Sequence, residues 1–284
     1  MNRLARWRTG TVIGTVMCIG IFMGIVLLLG WPATMVRAAE PITVAVSANL
    51  QPAFAQLAQR FQQQTGLTAQ GSFASTGKLS AQIRQGAPFH LLLAADSDYP
   101  NQLQQAGYAL QAPRVYALGT LVIWTSGKHA LDNWQQLLTD PAIVHIAIAD
   151  PNIAPYGREA GRVLQHYHLL RTVQNKLVYG ESIGQTNQFI ATGVADIGFT
   201  AKSSVINVDP RQWRELDTSS YHPIAQAAVL LKYADQHQRQ TAERFYQFMF
   251  SADAQAILQA FGYSLPAAPA AASTPATSKR LSSS

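Results

Sequence analysis

Short apolar runs alternate with amphipathic stretches along most of this 284-residue chain. The first unit has an apolar run at residues 42–47 and a helix-like stretch at 50–64, which Gly66 closes. Strands that alternate with helices of this length are typical of parallel sheets with helices on both faces. The pattern predicts an α/β fold of open, mostly parallel sheets, whose ligands bind beyond the carboxyl ends of the strands.

Four of the strand-to-helix turns carry small residues with hydroxyl or amide groups. Such a turn directs free backbone N–H groups and the positive end of a helix dipole at one spot, which suits an anion. Several of these turns, brought together, would form a cage for an oxyanion. The turns are Ser47-Ala48-Asn49, Ser75-Thr76-Gly77-Lys78, Pro155-Tyr156-Gly157 and Glu181-Ser182-Ile183-Gly184.

The remaining pattern predicts two lobes. The long segments at 119–126 and 200–208 are the places where the chain could cross between them. We therefore expect residues 39–121 and 203–266 to build the first lobe and residues 122–202 to build the second. Further strands are predicted at 144–149, 177–179, 195–201 and 224–231, and amphipathic helices at 236–250 and 252–261 end the folded part.

The two ends of the chain differ from its body. Arg3, Arg6 and Arg8 precede an apolar stretch at about residues 12–31, and Ala38 ends a run suited to cleavage, so residues 1–38 are predicted to be an export signal. An apolar stretch of about twenty residues can also span a bilayer, so an uncleaved anchor remains an alternative. Residues 267–284 are rich in Ala, Pro and Ser and are predicted to be a disordered tail.

Charge and cysteine content exclude several functions. The formal charge is +6, but four of the 21 Lys and Arg residues belong to the predicted signal, which leaves about +2. This balance lacks the basic stripe that nucleic-acid binding requires. The single cysteine, Cys18, lies in the signal, so the mature chain has no thiol for a disulfide or a metal. The seven histidines are scattered, and the His166/His168 pair lacks metal-ligand spacing and a carboxylate partner, which argues against a cation site.

Two segments of the sequence partly match motifs of enzymes. Gly180, Ser182 and Gly184 fit the nucleophile elbow of serine hydrolases, and Asp196 and His222 follow in the order of a triad. The pattern is short, however, and a glycine-bounded helix start is the plainer interpretation. Residues 71–79 suggest a phosphate-binding P-loop, but the glycine spacing and the final residue do not fit it.

Several segments in this order resemble the periplasmic molybdate-binding proteins of ABC importers, from residue 40 to residue 266. The segments are ITVAVSANL at 42–50, GSFASTGKLSAQI at 71–83, GAP at 86–88, LLAAD at 92–96, Ala-Asp-Pro at 149–151, PYG at 155–157, GVADIG at 193–198 and FGY at 261–263. The resemblance implies a type II periplasmic-binding fold, in which a two-segment hinge joins two α/β lobes that close over molybdate or tungstate. It also implies a monomer that meets a membrane permease and needs no cofactor.

The resemblance also assigns ligand-binding residues. Ala48 and Asn49 would hold one oxygen, Ser75 and Thr76 would supply hydroxyl and backbone N–H groups, and Tyr156 and Ile183 would donate backbone N–H groups. One branch of the family has serine at the position of Asn49 and a ligand tyrosine at the position of Ala201. Binders of sulfate, thiosulfate or phosphate remain an alternative, and a secreted hydrolase that uses Ser182 is a more distant one.

Overall fold

The computed structural model describes residues 40–127 and 129–266. The predicted signal at 1–38 and the predicted tail at 267–284 lie outside these residues. In the described part of the chain, no helix combines the length and the apolar character needed to cross a bilayer.

The described residues form two five-stranded sheets. The first sheet has the order β2-β1-β3-β10-β4 and the second has the order β7-β6-β8-β5-β9. The strands are β1 Ile42–Ser47, β2 Ala69–Ala74, β3 Leu91–Ala94, β4 Arg114–Gly119, β5 Leu121–Thr125, β6 Ile146–Ala149, β7 Leu177–Gly180, β8 Ile197–Ala201, β9 Trp213–Glu215 and β10 Ile224–Leu230.

Helices connect and cover the strands. Short 3-10 turns at Ala48–Leu50, Gln174–Lys176, Pro210–Gln212 and Thr218–Ser220 supplement them. The α-helices are α1 Gln51–Thr65, α2 Thr76–Arg84, α3 Asp98–Gln105, α4 Trp134–Thr139, α5 Pro155–His166, α6 Leu170–Val173, α7 Ile183–Ala191, α8 Lys202–Val205, α9 Tyr233–Gln236, α10 Arg239–Phe248 and α11 Ala252–Ala260.

The two sheets share one topology. In each sheet the three strands at one side run parallel, and the fourth strand, β10 or β5, runs antiparallel to both of its neighbours. Each of these antiparallel strands follows an edge strand of the other sheet, so the chain crosses between β4 and β5 and again between β9 and β10. The predicted α/β fold with two lobes and a two-segment connection is confirmed.

The return crossing lies later than the sequence suggested. Strand β9 pairs with β5 in the second sheet, with Glu215 opposite Val122, and the chain rejoins the first sheet at Ile224 rather than near residue 203. A three-residue strand is too short to show an alternating pattern. The helix expected at 236–250 begins only at Arg239, because Gln238 adopts a left-handed conformation with φ of 49°.

Each lobe has its own apolar core, which orients its turns. In the first lobe Phe54, Leu57 and Phe61 lie on one face of α1, and Phe61 meets Phe245 of α10 edge to face at 5.0 Å. The second core surrounds strand β6 and helix α5. Burying each large side chain contributes roughly 1.5–3 kcal/mol, so both lobes hold their strands firmly.

Candidate functional site

The four turns singled out in the sequence lie at the carboxyl ends of four parallel strands. Strands β1 and β2 are neighbours, with Ser47 opposite Ala74, so their turns lie side by side in the first lobe. Strands β6 and β7 are neighbours as well, with Ala149 opposite Gly180. Each lobe therefore presents one pair of turns, and a helix begins after each turn.

The two pairs of turns meet between the lobes. The Gly77 N–H donates to the Ile153 carbonyl at 2.9 Å, which joins the second turn to the third. A β-carbon placed at Gly184 would lie 3.8 Å from that of Ala48, which brings the fourth turn against the first. Within the first lobe the Thr76 hydroxyl donates to the Ser47 hydroxyl at 3.2 Å. The structure thus brings the four turns together.

The six residues assigned to the ligand are all buried here. Among the described residues, no acceptor is found for the backbone N–H groups of Ser75, Tyr156 and Ile183. The last two belong to the first turns of α5 and α7, where N–H groups have no partner within the helix. The exposed fractions are 6% for Ala48, 1% for Asn49, 3% for Ser75, 0% for Thr76, 2% for Tyr156 and 4% for Ile183.

The Ser75 hydroxyl has the clearest signature of a binding group. Ser75 precedes α2 in an extended conformation, yet its side chain caps no N–H of that helix. The hydroxyl is buried and has no hydrogen-bond partner among the described residues. Leaving a buried polar group unpaired costs about 1–3 kcal/mol. An oxyanion at the start of α2 would satisfy this hydroxyl.

Thr76 serves the scaffold with its side chain. Its hydroxyl accepts the Ala95 N–H at 3.1 Å and donates to Ser47, so it ties together the ends of β1, β3 and α2. Both hydrogen-bonding roles of this hydroxyl are therefore occupied within the first lobe. Thr76 retains its backbone N–H as the group to offer a ligand.

The amide nitrogen of Asn49 is also occupied by the protein, whereas its Oδ1 is buried and has no hydrogen-bond partner among the described residues. Its amide nitrogen donates to Gln226 Oε1 at 2.8 Å and to the Tyr263 hydroxyl at 2.9 Å, which uses both amide hydrogens. The Asn49 carbonyl accepts from the Ser203 hydroxyl at 2.7 Å and from the Tyr263 hydroxyl at 2.9 Å. In this arrangement Asn49 retains only its backbone N–H for a ligand.

Tyr156 lies against this network from the second lobe, and its buried hydroxyl has no hydrogen-bond partner among the described residues. Burial raises the pKa of its phenol well above the ordinary value, neighbouring tyrosines raise it further, and the Asn49 side chain opposes the shift. Burial likewise raises the pKa of Tyr263, against the hydrogen bonds from Ser203 and Asn49. Both phenols are therefore neutral at physiological pH. We call Asn49, Tyr156, Ser203, Gln226 and Tyr263 the inner network.

Charged contacts lie farther out between the lobes. Arg158 of α5 donates to Asp96 at 2.7 Å, and Lys78 pairs with Glu181 at 2.7 Å. Burial raises the pKa of Asp96, and the Arg158 guanidinium opposes this rise. The pairing of Asp96, which lies two residues after the end of β3, was not predicted from the sequence. We call these two ion pairs the outer pairs.

The residues of the hydrolase alternative do not assemble. The Ser182 hydroxyl caps α7 by accepting the Gln185 N–H at 3.4 Å. Asp196 precedes β8 and accepts the N–H groups of Val144 and His145. It lies at the amino ends of the parallel strands, whereas Ser182 follows the carboxyl end of β7. Within the described residues, no group of three or more His, Cys, Asp or Glu side chains is placed to hold a metal ion.

Comparison with known proteins identifies the family. The profile of the bacterial extracellular solute-binding proteins matches residues 42–264. This chain belongs to that family. Among these solute-binding proteins, the molybdate-binding protein ModA of Rhodobacter capsulatus is 36% identical over 243 residues, covering 85% of this chain and 93% of the relative. ModA of Azotobacter vinelandii is 35% identical over 241 residues, covering 83% of this chain and 94% of the relative.

Solved structures of solute-binding proteins show the same two-lobed periplasmic-binding fold. The periplasmic molybdate-binding protein of Azotobacter vinelandii superposes with a TM-score of 0.75 at 35% identity, covering 79% of this chain and 99% of that one. The sulfate-binding protein SubI of Mycobacterium tuberculosis reaches a TM-score of 0.64 at 14% identity, covering 78% and 86%. At that identity the likeness concerns the fold alone.

Proposed function

We propose that this protein captures molybdate or tungstate outside the cytoplasm and delivers the ion to the permease of an ABC importer. The observation that carries the proposal is the buried Ser75 hydroxyl, which has no partner among the described residues and lies where helix N-termini from both lobes meet. The names of the relatives at 35–36% identity support molybdate as the ion. The ligand-binding residues are Ala48, Asn49, Ser75, Thr76, Tyr156 and Ile183.

The chemistry of the donors suits a fully ionised dianion. Such an ion only accepts hydrogen bonds, and the assigned residues offer N–H and O–H groups without a formal charge. Molybdate and tungstate have longer metal–oxygen bonds than the corresponding bonds of sulfate and phosphate. A cage of fixed size leaves the smaller ions under-coordinated, and two unpaired donors at about 1–3 kcal/mol each give roughly a hundredfold preference.

Closure of the lobes would report that the site is occupied. Ser75 belongs to the first lobe, whereas Tyr156 and Ile183 belong to the second. The full set of donors exists only when the lobes are together, so the ligand favours the closed arrangement. A permease that contacts both lobes would recognise that arrangement. The proposal includes export through residues 1–38, a monomeric state, no cofactor and no catalytic step.

Thermal unfolding with four oxyanions tests the proposal. Purified protein is heated with molybdate, tungstate, sulfate or phosphate at equal concentration and ionic strength. A ligand at a hundred times its Kd stabilises the folded state by about 2.7 kcal/mol, which raises the melting temperature by several degrees. We expect this rise with molybdate and tungstate. A larger rise with sulfate or phosphate, or no rise with any ion, would overturn the proposal.

A further inference from the structure

Gly119 is the last residue of β4, where the chain leaves the first lobe. A β-carbon at this position would lie 2.0 Å from the Tyr156 hydroxyl, 3.0 Å from Tyr156 Cζ and 2.9 Å from Gln226 Nε2. Gly119 does not belong to the glycines with positive φ, so backbone conformation does not demand glycine here. Glycine is required at this position because the phenol of Tyr156 occupies the volume that any side chain would need.

The residue that fills this space comes from the other lobe. Tyr156 lies in the first turn of α5, and its ring packs into the core of the second lobe. Its hydroxyl reaches past that core to Gly119, which belongs to β4 of the first sheet. The contact therefore joins the two lobes beside one of the two crossing segments.

Tyr156 also carries one of the N–H groups assigned to the oxyanion. A side chain whose tip fits closely against Gly119 and whose ring is buried leaves the backbone of the same residue little freedom. The depth at which the hydroxyl enters the first lobe thus determines where the Tyr156 N–H stands relative to Ser75.

We propose that Gly119 forms a notch which admits the Tyr156 hydroxyl, and that this fit sets the closed arrangement of the lobes and hence the geometry of the oxyanion site. The inference rests on the proposed function, because it treats the Tyr156 N–H as a ligand donor. Residue 119 is then a positioning residue, which acts on the ligand through Tyr156.

The geometry indicates how strongly a side chain would interfere. Ordinary contacts of a β-carbon begin at 3.4 Å, so a methyl group 2.0 Å from the hydroxyl must be separated from it by more than 1 Å further. Gln226 is buried and its amide is hydrogen-bonded to Asn49, Ala95 and Ile224. Tyr156 is held by the core around it, so neither side chain moves aside easily. When two lobes rotate about their crossing segments, a displacement grows with distance from those segments. The far side of the cleft therefore opens by more than the contact at Gly119 does.

The test compares two glycine-to-alanine variants. G119A places a methyl group against Tyr156, and G161A places one on α5 where no atom lies within 4 Å. Molybdate affinity is measured by calorimetry, and ligand-induced compaction is measured by small-angle X-ray scattering. We expect G119A to bind roughly ten- to a hundredfold more weakly, as overpacking a fitted contact does, and to lose most of the compaction. G161A should match the wild type in both measurements.

Removing the hydroxyl provides the second half of the test. In the Y156F background the nearest ring atom is Cζ, 3.0 Å from the added β-carbon, so the clash is reduced rather than abolished. The loss of affinity caused by G119A should therefore be at least fivefold smaller in this background. If G119A alone fails to fold, Y156F should restore folding. Equal penalties in the two backgrounds, or a failure to restore folding, would overturn the notch.

The notch and the proposed function can fail separately. If the wild type binds no oxyanion, the proposed function is wrong, and the notch is then judged from urea unfolding without ligand. The destabilisation caused by G119A should exceed that of G161A and should shrink in the Y156F background. If the wild type binds molybdate and G119A behaves like G161A in affinity and in compaction, the function stands and the notch is wrong.

Discussion

The contacts around the lobe junction fall into two regions with opposite chemistry. The inner network joins buried amides, hydroxyls and phenols, and Asn49 alone takes part in four of its hydrogen bonds at 2.7–2.9 Å. The outer pairs join charged side chains, and their exposure ranges from 9% for Asp96 to 66% for Glu181. The junction is therefore neutral near the candidate site and charged towards its margin.

The difference suggests how a dianion is held without a counter-charge. A buried charge in the inner network would need a partner, and desolvating such a pair often costs more than the attraction returns. Neutral donors avoid that cost and leave the charge of the ligand to be met by N–H dipoles at helix starts. Ion pairs at the margin retain part of their hydration, so they can join the lobes without altering the charge of the site.

The largest loss of affinity is expected when a charged side chain is placed in the neutral inner network. Asn49→Asp preserves the shape of the side chain, but its carboxylate cannot donate to Gln226 and would lie beside the dianion at the proposed site. An uncompensated buried charge costs roughly 3–5 kcal/mol, so we expect molybdate affinity to fall by more than a hundredfold. Calorimetric titration at constant pH and ionic strength measures the loss.

Asn49→Ala separates the charge from the lost hydrogen bonds. This variant also removes the bonds to Gln226 and Tyr263 but adds no charge, so it should lose only about 1–3 kcal/mol. The two variants are compared for affinity and for urea stability without ligand. If Asn49→Asp bound molybdate as well as Asn49→Ala does, neutrality of the inner network would be irrelevant to the ligand.

The sequence predicts those features of the fold and the site that depend on residues adjacent in the chain. The four turns follow from residues that are adjacent in the chain, namely a strand, a hydroxyl or amide residue and a helix start. The apolar alternation likewise predicts the parallel sheets, because each run of residues reports its own burial. The assignment of Ser75 and Ile183 to the ligand came from the resemblance and remains a prediction.

The inner network was beyond such reasoning because its partners are distant in the chain. Gln226 and Tyr263 lie 177 and 214 residues after Asn49, and no local pattern connects them. Gly119 looked like any glycine in a β-rich segment, since its meaning depends on a tyrosine of the other lobe. The late return crossing was missed for a related reason, as β9 is recognised by its pairing rather than by its sequence.

The Ser75 hydroxyl, which is unpaired among the described residues, lies among the neutral groups of the candidate site. Ser75→Ala removes a buried donor that only the ligand would satisfy, so molybdate affinity should fall by about 1–3 kcal/mol. Stability without ligand should be unchanged or slightly higher, because the hydroxyl has no partner among the described residues. Calorimetry and urea unfolding give the two values on the same samples.

Ser80 provides the matched control on the same helix. Its hydroxyl is also buried and also without a partner in the described structure, but Ser80 lies inside α2 rather than at its start. Ser80→Ala should therefore leave molybdate affinity within twofold of the wild type. Equal losses for the two variants would mean that α2 as a whole, and not the Ser75 hydroxyl, determines binding.

The smallest effects are expected at the margin, where burial should rank the outer pairs. Asp96→Asn keeps the shape of a side chain that is 9% exposed but removes the charge that Arg158 meets at 2.7 Å. A hydrogen bond to a charged group contributes about 1.5–3 kcal/mol, and the partial exposure of Arg158 reduces this value. We expect molybdate affinity to fall by about tenfold, because the lobes lose a contact in their closed arrangement.

Lys78→Met is the comparison that sharpens this ranking. The Lys78–Glu181 pair has the same separation of 2.7 Å, but its side chains are 49% and 66% exposed. Exposed pairs contribute about 0–1 kcal/mol and are screened by salt, so the loss should be below fivefold and should vanish at high ionic strength. Calorimetric titrations of both variants with molybdate at low and high salt give the order of the two affinity losses. A larger loss for Lys78→Met than for Asp96→Asn would show that burial does not rank the contributions of the outer pairs to closure.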